Sequence, residues 1–150
     1  NSRGSFVGMG STTSRGDMLR ALIEGLDYQL LDIITEMRKS VGFEVEKVVV
    51  VGGAAHNAFW MQNKADMIGR SIEVPEVEDA SPLGAAMLAG IGVGIYRDEK
   101  DAFERVRKPA RTYHPDLRVT SRYAELFPLY KSLYPALKPV SHAVTEKLRA

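Results

Sequence analysis

The sequence predicts an α/β domain that is rich in helices and short of strands. Three observations carry that prediction. Val48-Val49-Val50-Val51, four consecutive β-branched residues, runs into Gly52-Gly53 and then into an amphipathic stretch, the strand–turn–helix order of α/β proteins. Apolar residues recur at steps of three and four over about 25 residues in the first third of the chain, well beyond the mean helix length. Only one other segment, Ile72-Glu73-Val74, reads as a strand, against four or five helices.

The totals narrow the function classes. A chain of 150 residues fits one domain and can bury roughly 70% of its unfolded surface. Its residues are 45% hydrophobic and 26% charged, ordinary for a globular protein. A net charge of +1 gives no argument for nucleic acid. The absence of cysteine excludes disulfides and thiolate metal sites and suits the cytoplasm. No apolar run reaches the ~18 residues of a membrane span, so no membrane partner is expected. The start, Asn1-Ser2-Arg3-Gly4, is not a signal peptide and lacks an initiator methionine, and it reads as a piece cut from a longer chain.

Taken in order, Gly4-Ser5-Phe6-Val7-Gly8-Met9-Gly10 is extended, and Ser11 to Arg15 is a polar loop. Ser14 followed by Asp17 resembles a capping box and opens a helix over 15–40. Leu19, Leu22, Ile23, Leu26, Leu30 and Ile33 form its stripe, continued by Ile34 and Met37, and Gly42 is a stop after Arg38 and Lys39. The valine strand covers 45–51 and is expected to be buried on both faces. A helix over 57–68 places Met61, Ala65 and Ile68 on one side, with Gln62, Asn63 and Lys64 largely elsewhere, and Gly69 ends it. The strand at 72–74 stops at Pro75, and Glu76 to Asp79 is a solvated loop. Ser81 as N-cap with Pro82 at the first helical position starts a helix crowded with small residues, which points to a close backbone or ligand approach or to tight helix-on-sheet packing. Gly92 and Gly94 end it, and 98–106 is a short exposed helix. Residues 108–115 read as an extended connector. A last helix spans 119–137, with Pro128 and Pro135 expected to kink or break it, and the tail from Pro139 is a frayed helix. Two parallel strands can neither satisfy their edges nor cover both faces of a valine-rich strand. The chain is therefore expected to be the second part of a larger α/β domain.

The corner at Gly52-Gly53 is read as a nucleotide seat. Gly53 lacks a Cβ, so a ribose or phosphate can reach its amide, and the helix from Asn57 offers unpaired N–H groups and a positive dipole end. Ala54 and Ala55 keep the floor low. The plainer alternatives stay open at this stage: the glycines close a strand-to-helix turn, and Asn57 is an N-cap. Asp66 sits mid-helix and is read as pairing with a neighbouring segment rather than as a base or metal ligand. Asp17 and Glu24 are read as cap and packing residues, and Trp60 with the Tyr123 to Tyr134 stripe as core. The three histidines lack metal-ligand spacing, so no protein metal site is expected. Neither a Gly-x-Ser-x-Gly elbow nor a Walker loop is present, and the Gly-x-Gly-x-x-Gly of a dinucleotide fold is absent.

Three motifs in order then carry a family likeness. Gly4-Ser5-Phe6-Val7-Gly8-Met9, seven residues, and Asp17-Met18-Leu19-Arg20-Ala21-Leu22-Ile23-Glu24 resemble the second signature of the FGGY carbohydrate kinases, with Leu22 a small departure. Gly52-Gly53-Ala54-Ala55-His56-Asn57 with Trp60, Gln62, Ala65 and Asp66 is similar to the family's adenosine segment. Val74-Pro75-Glu76, Leu83-Gly84-Ala85-Ala86-Met87-Leu88-Ala89 and Gly92-Val93-Gly94 resemble its closing strand and helix. The likeness covers roughly residues 3 to 108, with a weaker echo over 123–139.

The resemblance implies a partial ribonuclease H-like domain of the actin/Hsp70/sugar kinase superfamily, helix-rich with a truncated sheet. It implies a xylulokinase-like enzyme that transfers the γ-phosphate of MgATP to a sugar or polyol hydroxyl, with a pentulose such as xylulose foremost and glycerol, gluconate and fuculose kinases sharing the motifs. Residues 1–150 would be most of the C-terminal, ATP-binding domain, without its first strands or the N-terminal domain. The backbone at Gly53 would meet the nucleotide near its α-phosphate and ribose, Gly52 and Ala54 would flank it, and the Asn57 side chain would face the adenine. The catalytic aspartate, the sugar-binding residues and two phosphate-contacting loops would lie upstream of this chain, so the chain alone would not catalyse. The cofactors implied are ATP and Mg2+, the partner a sugar or polyol, the location cytoplasmic, and a homodimer is a further expectation. The rival is a non-catalytic nucleotide-binding or assembly module of the same superfamily.

Overall fold

The structure, a computed structural model, describes residues 3–42, 44–77, 79–106 and 110–149. Helix α1 (Arg15–Val41) begins at a capping box: the Asp17 amide donates to Ser14 Oγ at 3.2 Å, and the Ser14 amide donates to Asp17 Oδ2 at 2.8 Å. It ends at Gly42, whose φ of 75° suits a residue without a Cβ and whose amide donates to the Arg38 carbonyl. Strand β1 (Lys47–Val49) leads through a 3-10 turn (Gly53–His56) into α2 (Ala58–Ile68) and β2 (Ser71–Pro75). β1 and β2 are parallel, Val48 opposite Ile72, and form with α2 a strand–helix–strand unit. Helices α3 (Ala80–Gly92) and α4 (Glu99–Val106) follow, then β3 (Ala110–Tyr113) and α5 (Leu117–Arg149).

The core lies between α2 and the sheet. Met61, Ala65 and Ile72 are fully buried, Ala55 and Ile68 nearly so, and Leu30, Ile34, Val48, Val50 and Tyr113 close around them. A second cluster gathers Tyr28, Met67 and Tyr123, with Tyr28 stacked on Tyr130 at 4.9 Å between ring centroids and meeting Tyr123 edge-on at 5.8 Å. Lys131 of α5 bridges Asp32 and Glu36 of α1. At Gly69 (φ 67°) an added Cβ would lie 2.9 Å from Thr120 Cγ2, so this glycine serves both the helix end and the close approach of α5.

Several expectations are corrected. The valine strand is not buried on both faces: Val48 and Val50 face the core, whereas Val49 and Val51 are about half exposed, because the described residues pack over one face of β1 and leave the other open. Among the described residues the sheet has three strands rather than two. Residues 110–113 of the expected connector pair antiparallel with β2, Thr112 opposite Glu73, while Lys108 and Pro109 lie outside the described residues. The N-cap of α3 is Asp79, which accepts from the Ser81 amide, rather than Ser81. Among the described residues α3 packs chiefly on α4 rather than on the sheet; Gly84 is open, and Gly90 is closely approached by the Tyr96 ring. The last helix runs unbroken to Arg149 through Pro128, Pro135 and Pro139. Glu76 is exposed and Val77 partly buried, Glu78 lying outside the described residues. The α1 stripe splits: Leu30 and Ile34 join the core, whereas Leu19, Leu22, Leu26, Ile33 and Met37 are exposed.

Candidate functional site

The end of β1 hands the chain to Gly52, whose φ of 90° and ψ of −175° are open to glycine alone. One tight turn follows, held by the Ala55 amide on the Gly52 carbonyl at 3.0 Å and the Asn57 amide on the Ala54 carbonyl at 3.2 Å. Ala55 turns inward and is buried, anchoring the turn on the core. Gly52, Gly53, Ala54, His56 and Asn57 are all exposed. A Cβ built on Gly53 meets nothing within 4 Å, so the space beside its backbone is empty. Asn57 is the N-cap of α2: its Oδ1 accepts from the Trp60 amide at 3.1 Å, leaving its Nδ2 free to donate. The Ala58 and Phe59 amides, at the positive end of α2, make no backbone hydrogen bond among the described residues and remain for an outside acceptor. The corner therefore offers bare peptide, an amide side chain and a helix start on one open turn. That chemistry suits an anionic ligand that also carries a hydrogen-bonding ring.

Beneath it lies a polar cluster that the sequence reading passes over. Asp27 of α1 is fully buried, yet both its oxygens are taken. Oδ1 accepts from Trp60 Nε1 at 2.9 Å and Lys64 Nζ at 2.5 Å, and Oδ2 from Asn63 Nδ2 at 2.8 Å. Tyr123 Oη lies 2.7 Å from both Asn63 Oδ1 and Glu24 Oε1, its single proton serving one of them at a time, and Glu24 also holds Arg20 at 2.8 Å. The available signal was an acid inside the apolar stripe of α1, with an asparagine and a lysine on the part of α2 that must face it.

The remaining candidates fall into structural places. Asp66 Oδ1 accepts from Gln62 and from the Asp116 amide, and its carbonyl from Thr120 Oγ1, tying α2 to the start of α5. The backbone hydrogen bond from Ser14 holds the Asp17 carboxyl below the usual carboxylate range. Burial pushes the Tyr28 phenol up to about 12, with the Glu24 charge adding. Trp60 is half-buried and Tyr123 buried, but Tyr134 at the far end of the stripe is 53% exposed and not core. His114 meets Ser71 Oγ at 3.2 Å. Among the described residues no three acidic or histidine side chains gather as a metal cluster.

The pattern of the FGGY family of carbohydrate kinases, C-terminal domain, matches residues 1–93. The chain belongs to that family. It is 34% identical to a xylulose kinase of Bacillus subtilis (strain 168), over 95% of this chain and 28% of that relative. It is 42% identical to a glycerol kinase of Staphylococcus epidermidis, over 69% of this chain and 21% of that relative. Among solved structures, a ligand-bound xylulose kinase from Lactobacillus acidophilus superposes with a TM-score of 0.84 at 26% identity, covering 95% of this chain and 29% of that one. Plasmodium falciparum glycerol kinase with ADP superposes at 0.71 with 30% identity, covering 89% and 26%. The fold is thus the actin/Hsp70-like fold of the sugar kinases, represented here by a helix-rich portion with a small sheet. This FGGY chain spans 21–28% of the length of these curated relatives.

Proposed function

We propose that this chain is the ATP-binding half of a carbohydrate kinase, most of its C-terminal domain. The rest of that domain and the N-terminal domain would belong to the longer protein. The observation that carries the reading is the exposed turn from Gly52 to Asn57, open beside Gly53 and seated at the start of α2. That the Plasmodium falciparum glycerol kinase was solved with ADP supports a nucleotide as the ligand. In this reading the Gly53 backbone, flanked by Gly52 and Ala54, lies against ribose and α-phosphate, and Asn57 Nδ2 donates to the adenine.

MgATP would be held through its nucleotide by the Gly53 backbone and Asn57, and would supply the phosphoryl group together with neutralisation of the phosphate charge. The protein residues described here bind and orient the nucleotide. The carboxylate that takes the acceptor's proton, and the groups that hold the acceptor, belong to the other half of the cleft. The acceptor is a sugar or polyol, with a pentulose such as xylulose first because xylulose kinases match 95% of this chain in both sequence and structure, against 69% for the Staphylococcus epidermidis glycerol kinase. The reaction belongs in the cytoplasm, where ATP is abundant and a cysteine-free chain is at no disadvantage. The reading does not require a homodimer.

The test uses the full-length protein. Hydrogen exchange with and without MgADP should show protection of amides 52–61. A coupled assay over xylulose, ribulose, gluconate and glycerol should show ATP turnover with xylulose highest. Protection without turnover on any acceptor would leave the non-catalytic module; no protection would end the nucleotide reading.

A further inference from the structure

Asp27 makes an arrangement whose cost asks for an explanation. Removing a carboxylate and an ammonium from water is expensive, and a buried ion pair is a weak source of net stability, although it fixes geometry tightly. Here the carboxylate is 0% exposed and reads three donors on one face of α2, at positions 60, 63 and 64. All three lie in the first two turns of the helix. Trp60 is the link outward. Its ring N–H is held by Asp27, and its backbone N–H is capped by Asn57 Oδ1. The other side of the cluster is equally fixed, since Asn63 is held in turn by Tyr123 of α5. Rotation or slippage of α2 against α1 would break the three bonds to Asp27 together.

We infer that Asp27 is a positioning residue for the nucleotide corner: acting through Trp60, it sets the orientation of the first turn of α2 and hence of Asn57. This rests on the nucleotide reading of residues 52–57. Asp27 touches no ligand, and its effect is expected on nucleotide affinity rather than on acceptor affinity or turnover.

The experiment uses the full-length protein and three variants. Asp27→Ala with Lys64→Met removes the buried pair without stranding either charge. Trp60→Phe removes only the indole donor and keeps a ring in place. Asn57→Ala reports on the corner itself. The double variant and Trp60→Phe should each raise the KM for ATP, the double variant on the order of tenfold, with kcat and the acceptor KM within about twofold. With 5-fluorotryptophan incorporated, the 19F resonance that Trp60→Phe deletes should shift on adding MgADP in the parent protein. ATP KM unchanged in both Trp60→Phe and the double variant, while Asn57→Ala raises it, overturns the positioning role alone. If the double variant does not fold, Trp60→Phe and the 19F shift decide. An unchanged ATP KM in Asn57→Ala instead overturns the nucleotide reading beneath it.

Discussion

Helix α2 separates two regions that differ in almost every physical respect. On its packed side, Met61, Ala65 and Ile68 fill the core with Ile72, and Asn63 and Lys64 are locked onto Asp27. At its leading end, five of the six residues from Gly52 to Asn57 are exposed, and the space beside Gly53 is vacant. One helix thus presents a fully determined face and an open turn within a few residues of each other. The contrast teaches how a binding corner made of peptide can be exact in position while making few contacts of its own: precision is supplied from below, by packing and buried hydrogen bonds.

The two regions should therefore respond to substitution in opposite ways. The largest effect is expected at Met61→Ala, which opens a cavity at a fully buried position and should cost about 2–5 kcal/mol in denaturant unfolding. Below its melting temperature the variant should bind MgADP within about twofold of the parent; a large loss of affinity would mean that core and corner are not separable. Next comes Gly53→Val. Its Cβ meets nothing in the chain and its φ is not positive, so the melting temperature should move by no more than about 2 °C. The added branch occupies the vacant space, and kcat/KM for ATP should fall at least about tenfold, or about 1.4 kcal/mol. Asn57→Ala straddles the boundary, with about 1 kcal/mol lost from the helix cap together with a few-fold rise in the KM for ATP. Stability lost with the KM for ATP unchanged would overturn the nucleotide reading of the corner.

The smallest effect is a pH dependence confined to the buried side. Burial favours the neutral Tyr28 phenol and raises its pKa from 10.0 to about 12 in the fold. Its contribution to stability is complete below the unfolded phenol pKa and is lost as pH rises from about 10 towards 12. Tyr123 and Tyr130 are pushed in the same direction by burial. Urea midpoints between pH 9 and 11.5 should fall for the parent protein and fall less for Tyr28→Phe, while the affinity change of Gly53→Val stays constant over the same range. Parallel pH curves for parent and Tyr28→Phe would remove Tyr28 from the account.

Local signals in the sequence carried much of this. Ser14 with Asp17, the α1 stripe, Gly42 and Gly69 as helix stops, and the strand–glycine–helix corner are all written in short windows, where propensity and capping decide. The features not legible there depend on distant partners. β3 forms because β2 has a free edge for Ala110–Tyr113 to pair with, and its exposed, polar residues show no alternation of their own. The prolines of α5 do not break it, since long helices accept such losses where tertiary contacts elsewhere hold them, as Tyr123, Phe127 and Tyr130 do here. Asp79 displaced Ser81 as a cap because either side chain could serve and only the loop geometry chooses. The Asp27 cluster joins residues 33 to 37 positions apart in the chain, and no window short enough to show periodicity contains both halves.

The open flank of β1 has a practical consequence. A three-residue strand with one edge unpaired among the described residues, carrying half-exposed Val49 with Val51 just beyond it, is a template for self-association through strand pairing. Produced by itself at high concentration, the chain would tend towards insoluble oligomers, and a lysine at Val49 would be the first substitution to keep such a preparation dispersed.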